Sequence, residues 1–132
     1  MTKSLVKRLE TYLNKMTLNA QKKGKRFELS IANKLKELFK IPVRRTPLSG
    51  GMDFKGDIIC IDDRSILSDF SFECKNQEKL NIWKALQQSR NDAPRGKTPL
   101  VVFTKNHELD YVAIEFNDFI NLLLELEDLR SI

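Results

Sequence analysis

The chain has 132 residues, 41% of them apolar and 31% charged, with a formal net charge of +5. This length and balance fit one folded domain with its own core, exclude disordered and fibrous classes, and leave no apolar run near the ~20 residues that span a bilayer. Charge is unevenly spread: residues 1–48 hold 13 Lys and Arg against 3 acids and residues 49–132 hold 10 against 15, an asymmetry that suits a polyanion binder.

The spacing of Leu5, Val6, Leu9, Leu13 and Met16 predicts a helix over 3–16. The polar, basic stretch "TLNAQKKGK" from Thr17 to Lys25 reads as a connector with a break. A second helix is expected over 22–39, with Phe27, Ile31, Leu35 and Leu38 on its stripe and Pro42 ending it. "VRR" at 43–45 reads as a short strand, and "TPLSGGMDFKG", with one Pro and three Gly, as loop. Strands are predicted at 57–61 ("DIICI") and 69–75 ("DFSFECK"), with Asp62, Asp63, Arg64 and Ser65 at or near the turn between them. Cys60 and Cys74 fall inside these apolar stretches and read as buried, reduced thiols. With no apolar signal-peptide core at the basic N-terminus, that suits the cytoplasm, and no CxxC pair offers a zinc site. A helix over 80–90, a strand buried on both faces at 100–104, a strand at 111–116 and an amphipathic helix over 117–129, capped by Asn117 or Asp118, complete the chain. The order α-α-β-β-β-α-β-β-α predicts an α/β fold with a central mixed β-sheet flanked by helices, in a single domain over 1–132.

Few residues offer chemistry. The sole histidine, His107, sits in the polar turn "KNHELD", where a solvated loop residue is expected rather than a triad member. No glycine-rich phosphate cradle occurs. Carboxylates remain. Asp57 opens its strand directly after Gly56, and a hairpin turning at 62–68 brings it level with Glu73 and Lys75, which share a strand face by period two. Two close carboxylates repel unless a cation sits between them, and Mg²⁺ suits such oxygen ligands. Lys75 would then stabilise phosphoryl charge or help deprotonate a water. The plain alternative is an exposed cross-strand ion pair, with Asp57 a strand-start residue.

The order of short segments is more specific. "KGKRFE" (23–28), "PVRR", "LSGG" (48–51), "GDIICI", "FECK" and "PLVVFTKN…YVAIEF" together resemble the archaeal-type Holliday junction resolvases of the PD-(D/E)xK nuclease superfamily, over residues 22–120. The resemblance implies a restriction-endonuclease-like core. It also implies a Mg²⁺-dependent endonuclease, with Mn²⁺ able to substitute, that resolves four-way DNA junctions in recombination and repair by hydrolysing phosphodiester bonds; because such a junction has two equivalent strands to cut and the chain has one Asp57–Glu73–Lys75 cluster, a two-fold homodimer is expected. Residue by residue, Asp57 and Glu73 match the metal-binding carboxylates and Lys75 the catalytic lysine. Glu28 matches a glutamate that helps arrange the metal site, in part through water, and the Cys74 backbone carbonyl matches a further ligand. Arg44 or Arg45, and Ser49, match residues used on DNA; Gln87 matches an auxiliary glutamine. Lys22, Lys23, Lys25 and Arg26, with both arginines, are expected on backbone phosphates, and Gly50 and Gly51 let their loop approach DNA. Residues 1–20 have no counterpart in that family, and the loop from Arg45 to Asp57 is longer than usual. The same catalytic residues fit another PD-(D/E)xK endonuclease of repair, restriction or phage DNA processing, working in host cytoplasm if phage-encoded. A non-catalytic nucleic-acid-binding module is the third reading.

Overall fold

The structure, a computed structural model, describes residues 3–46 and 57–132. Its elements are helix α1 (Lys3–Phe39), strands β1 (Arg44–Arg45), β2 (Ile58–Ile59) and β3 (Phe70–Asn76), helix α2 (Ile82–Asp92), strands β4 (Thr98–Thr104) and β5 (Tyr111–Ile114), and helix α3 (Phe116–Arg130). A 3-10 turn, Ile66–Asp69, leads into β3.

The break expected between residues 17 and 25 does not occur. Instead α1 is one helix of 37 residues, about 55 Å long. Leu18, Ala20, Gln21 and three lysines in that stretch are strong helix formers, and its lone Gly24 costs only ~1 kcal/mol. A solvated helix needs no apolar period, so the loss of periodicity marked exposure rather than a turn. The helix closes where Lys40 takes a left-handed φ of 56° and donates its N–H to the Lys36 carbonyl at 2.9 Å. Pro42 then bars any continuation.

The five strands form one sheet in the order β1-β2-β3-β4-β5. Pairing is antiparallel except between β3 and β4, whose parallel register (Glu73 beside Val101, Lys75 beside Phe103) requires the crossover that α2 supplies. Phe72, Cys74, Leu100 and Val102 point to one face and bury against Phe27, Ile31 and Ala32 of α1. The alternate residues Ser71, Glu73 and Val101 point to the other, where α2 turns Ala85 and Ser89 inward and the Ser89 hydroxyl donates to the Leu100 carbonyl at 3.1 Å. Both cysteines are free and buried.

Caps shift two helix boundaries. Asn81 accepts from the Lys84 N–H and starts α2 at Ile82. The Glu115 carboxylate accepts from the Asp118 N–H at 2.9 Å, so Glu115 caps α3, not Asn117 or Asp118. No helix among the described residues is long and apolar enough to cross a membrane.

Candidate active site

β2 is only two residues long, and Asp57 stands immediately before it. Its N–H donates to the Phe72 carbonyl at 2.8 Å and its own carbonyl accepts from the Thr46 N–H at 2.9 Å. One side-chain oxygen, Oδ2, accepts from the Cys74 N–H at 2.7 Å. Asp57 is therefore held at three atoms, and its carboxylate satisfies a β3 amide that the short strand β2 no longer reaches. Among the described residues the other carboxylate oxygen accepts no hydrogen bond.

Glu73 lies on β3 beside this anchor and is almost fully buried, at 3% exposure. Among the described residues its carboxylate makes no hydrogen bond or ion pair, and electrostatics reflects that. Burial, then the charge of Asp57, push the Glu73 carboxyl up to about 8, against a lesser pull from Lys75. Burial likewise raises Asp57 to about 6, although the Cys74 amide opposes it and Glu28 adds to it. Asp92, at the end of α2, adds negative potential at both groups. The Cys74 thiol, turned into the core, is raised far above its usual range by burial and stays a neutral thiol.

Beside the pair opens a cleft of about 650 Å³, lined by Lys23, Lys25, Glu28, Arg45, Cys74 and Lys75 among others. Asp57 and Glu73 do not line it, although Cys74 and Lys75, the residues that follow Glu73 on β3, do. Arg45 and Glu28 form an ion pair in its wall, Nε to Oε2 at 2.9 Å, with both side chains mostly shielded. Alternation along β1 sends Arg45 into the cleft and Arg44 to a separate hollow with Lys36, Pro42 and Ile61.

The remaining expected site residues scatter. Lys22, Lys25 and Arg26 are exposed on α1 and Lys23 is partly covered. Gln87 is exposed on the side of α2 opposite Ala85 and Ser89, turned away from the sheet. His107 is exposed in its turn with φ 64°. Ser49, Gly50 and Gly51 lie outside the described residues. Asp92 was not singled out from sequence: nothing in "QQSRNDAP" separates it from an ordinary helix-end acid, and only the packing of α2 on the sheet brings it near.

Among the described residues no group of three or more His, Cys, Asp or Glu side chains lies close enough to hold a metal. A metal here would rest on two carboxylates and backbone oxygen. That donor set is all hard oxygen, which fits Mg²⁺ and does not fit a thiolate-seeking ion.

A family model described as "Phage putative PDDEXK endonuclease" matches residues 19–130. No curated protein and no solved structure matches the chain.

Proposed function

Because the chain belongs to this phage PDDEXK endonuclease family, we propose that it is a metal-dependent DNA endonuclease whose site is built on Asp57, Glu73 and Lys75. The observation that carries the reading is the buried Asp57–Glu73 pair, whose joint ionisation near neutral pH calls for a cation. Asp57, Glu73 and the Cys74 carbonyl would hold Mg²⁺ or Mn²⁺, with Glu28 acting through water. Such an ion supplies a water of lowered pKa and a counter-charge for the phosphoryl oxygens. The protein's own contribution is positional. The Cys74 amide fixes the Asp57 carboxylate, and Arg45 fixes Glu28. Lys75, two residues beyond Glu73 and on the cleft wall, sets its ammonium beside the scissile phosphate, where its positive charge stabilises the charge developing on the phosphoryl oxygens. Lys23 and Lys25 on the same wall, with Lys22 and Arg26 nearby on α1, hold backbone phosphates without reading bases.

The narrower reading is a branched substrate, a four-way junction cut by a two-fold homodimer. A junction offers two equivalent strands, and a chain with one Asp57–Glu73–Lys75 set needs a second copy to cut both. The exposed apolar residues of α1 and α3 favour such pairing. A labelled four-way junction, its matched duplex and a flap, each with Mg²⁺ or with EDTA, test both levels. Selective, symmetric, EDTA-sensitive junction cutting is expected. Equal cutting of all three substrates removes the junction reading and keeps the endonuclease; no cutting of any with Mg²⁺ or Mn²⁺ removes both.

A further inference from the structure

Two helical segments of this chain leave apolar side chains exposed. The N-terminal part of α1, here the arm (residues 3–18), has every described side chain exposed, including Val6, Leu9 and Tyr12, the last at 61%. α3 has no buried side chain, and its Phe116, Phe119, Leu123 and Leu126, exposed at 43–70%, recur at intervals of three, four and three along one stripe. Helices of this length draw most of their stability from packing an apolar face, and apolar surface left contiguous on a protein marks an interaction site. Exposure on both shows that neither covers the other within one chain. The family match begins at residue 19, so the arm lies outside the shared nuclease module.

We propose that the arm of one protomer packs along α3 of a second copy, and reciprocally, so that the homodimer forms by arm exchange; the inference rests on the dimeric part of the reading above. Charge selects this pairing. The arm carries Lys7, Arg8 and Lys15 against Glu10, whereas α3 carries Asp118, Glu125, Glu127 and Asp128 against Arg130. Arm on arm opposes two basic helices, and α3 on α3 opposes two acidic ones. Only arm on α3 joins apolar stripes while bringing opposite charges together. A two-fold axis makes the contact twice, with the same two patches on each subunit. DNA is the rival occupant of a basic helix, but Leu9 and Tyr12 contribute nothing to phosphate binding.

The test is the mass of the full chain by light scattering and sedimentation at micromolar concentration, without DNA or metal, with circular dichroism to verify folding. It compares wild type, an arm reversal (Lys7→Glu, Arg8→Glu, Lys15→Glu), an α3 reversal (Glu125→Lys, Glu127→Lys, Asp128→Lys) and the two combined. Wild type is expected as a dimer. Each reversal alone should weaken dimerisation at least about tenfold, and the combined variant should regain it because attraction is restored with the signs exchanged. A dimer indifferent to either reversal would overturn arm exchange while leaving the dimer itself standing. A wild-type monomer at every concentration would overturn both, with DNA cleavage still to be judged separately. Gel shifts of the same variants on DNA give a second readout: an arm reversal that leaves the mass unchanged and weakens DNA affinity would assign the arm to DNA instead.

Discussion

Replacing Glu73 with Gln removes one of two charges that the fold holds at a cost, so the variant should be more stable than wild type in metal-free solution at alkaline pH. The sign follows from linkage. Glu73 is raised from 4.5 to about 8 and Asp57 from 3.8 to about 6, so between those limits the folded protein keeps protons that the unfolded chain releases. Stability from these groups is complete below about pH 4 and drains away as pH rises toward 8. At ~1.4 kcal/mol per pH unit of displacement, Glu73 alone sets a ceiling of about 5 kcal/mol. Relaxation and water entry around the charged pair cut this to an expected ~2–3 kcal/mol, on the order of 10 °C in melting temperature for a domain of this size. Melts in EDTA from pH 4.5 to 8.5 should therefore show wild type falling relative to Glu73→Gln, and the difference between the two isolates the pair from every other titrating group. Millimolar Mg²⁺ should raise the wild-type melting temperature at pH 8, do little at pH 5, and leave Glu73→Gln unmoved. Parallel pH profiles for the two proteins, or an equal response to Mg²⁺, would show that Glu73 is neither strained nor a ligand.

Three further outcomes are expected. Asp57→Asn should abolish cutting while DNA binding by gel shift persists, because the amide oxygen still accepts from Cys74 N–H and the fold is kept; near-normal cutting would refute the assignment. Lys75→Ala should lower single-turnover cleavage by orders of magnitude at little change in affinity, and a loss of affinity alone would make it a phosphate contact. Lys23→Ala with Lys25→Ala should flatten the salt dependence of DNA binding by about one unit of log slope per lost contact, whereas Arg44→Ala, on the far side of β1, should not.

The sheet was legible in the sequence because its signals are local. Alternation along "FSFECKN" placed Phe72 and Cys74 in the core, and the unbroken apolar run of Leu100, Val101 and Val102 announced a strand covered on both faces. Asp57 beside Glu73 followed from a hairpin of about the right length, and the pairing of Ile58 with Phe72 sets them side by side. What periodicity could not supply was the continuity of α1. Between Thr17 and Lys25 that helix carries no apolar stripe to mark its course, so the silence of "TLNAQKKGK" fits a loop and a solvated helix equally well.

The site divides along the same line. Residue identities on one strand were readable, but which way the two-residue strand β1 turns Arg44 and Arg45 was not, and the structure sets Arg45 against Glu28. Asp92 and Gln87 are the sharper case, since both lie on α2 within five residues of each other. The inward register set by Ala85 and Ser89 carries Asp92 toward the carboxylates and Gln87 to solvent. Helical phase relative to the sheet is a tertiary quantity. A strand states its own two faces in its sequence, whereas a short helix with few apolar residues does not, and the direction in which its side chains face is what a linear reading leaves open.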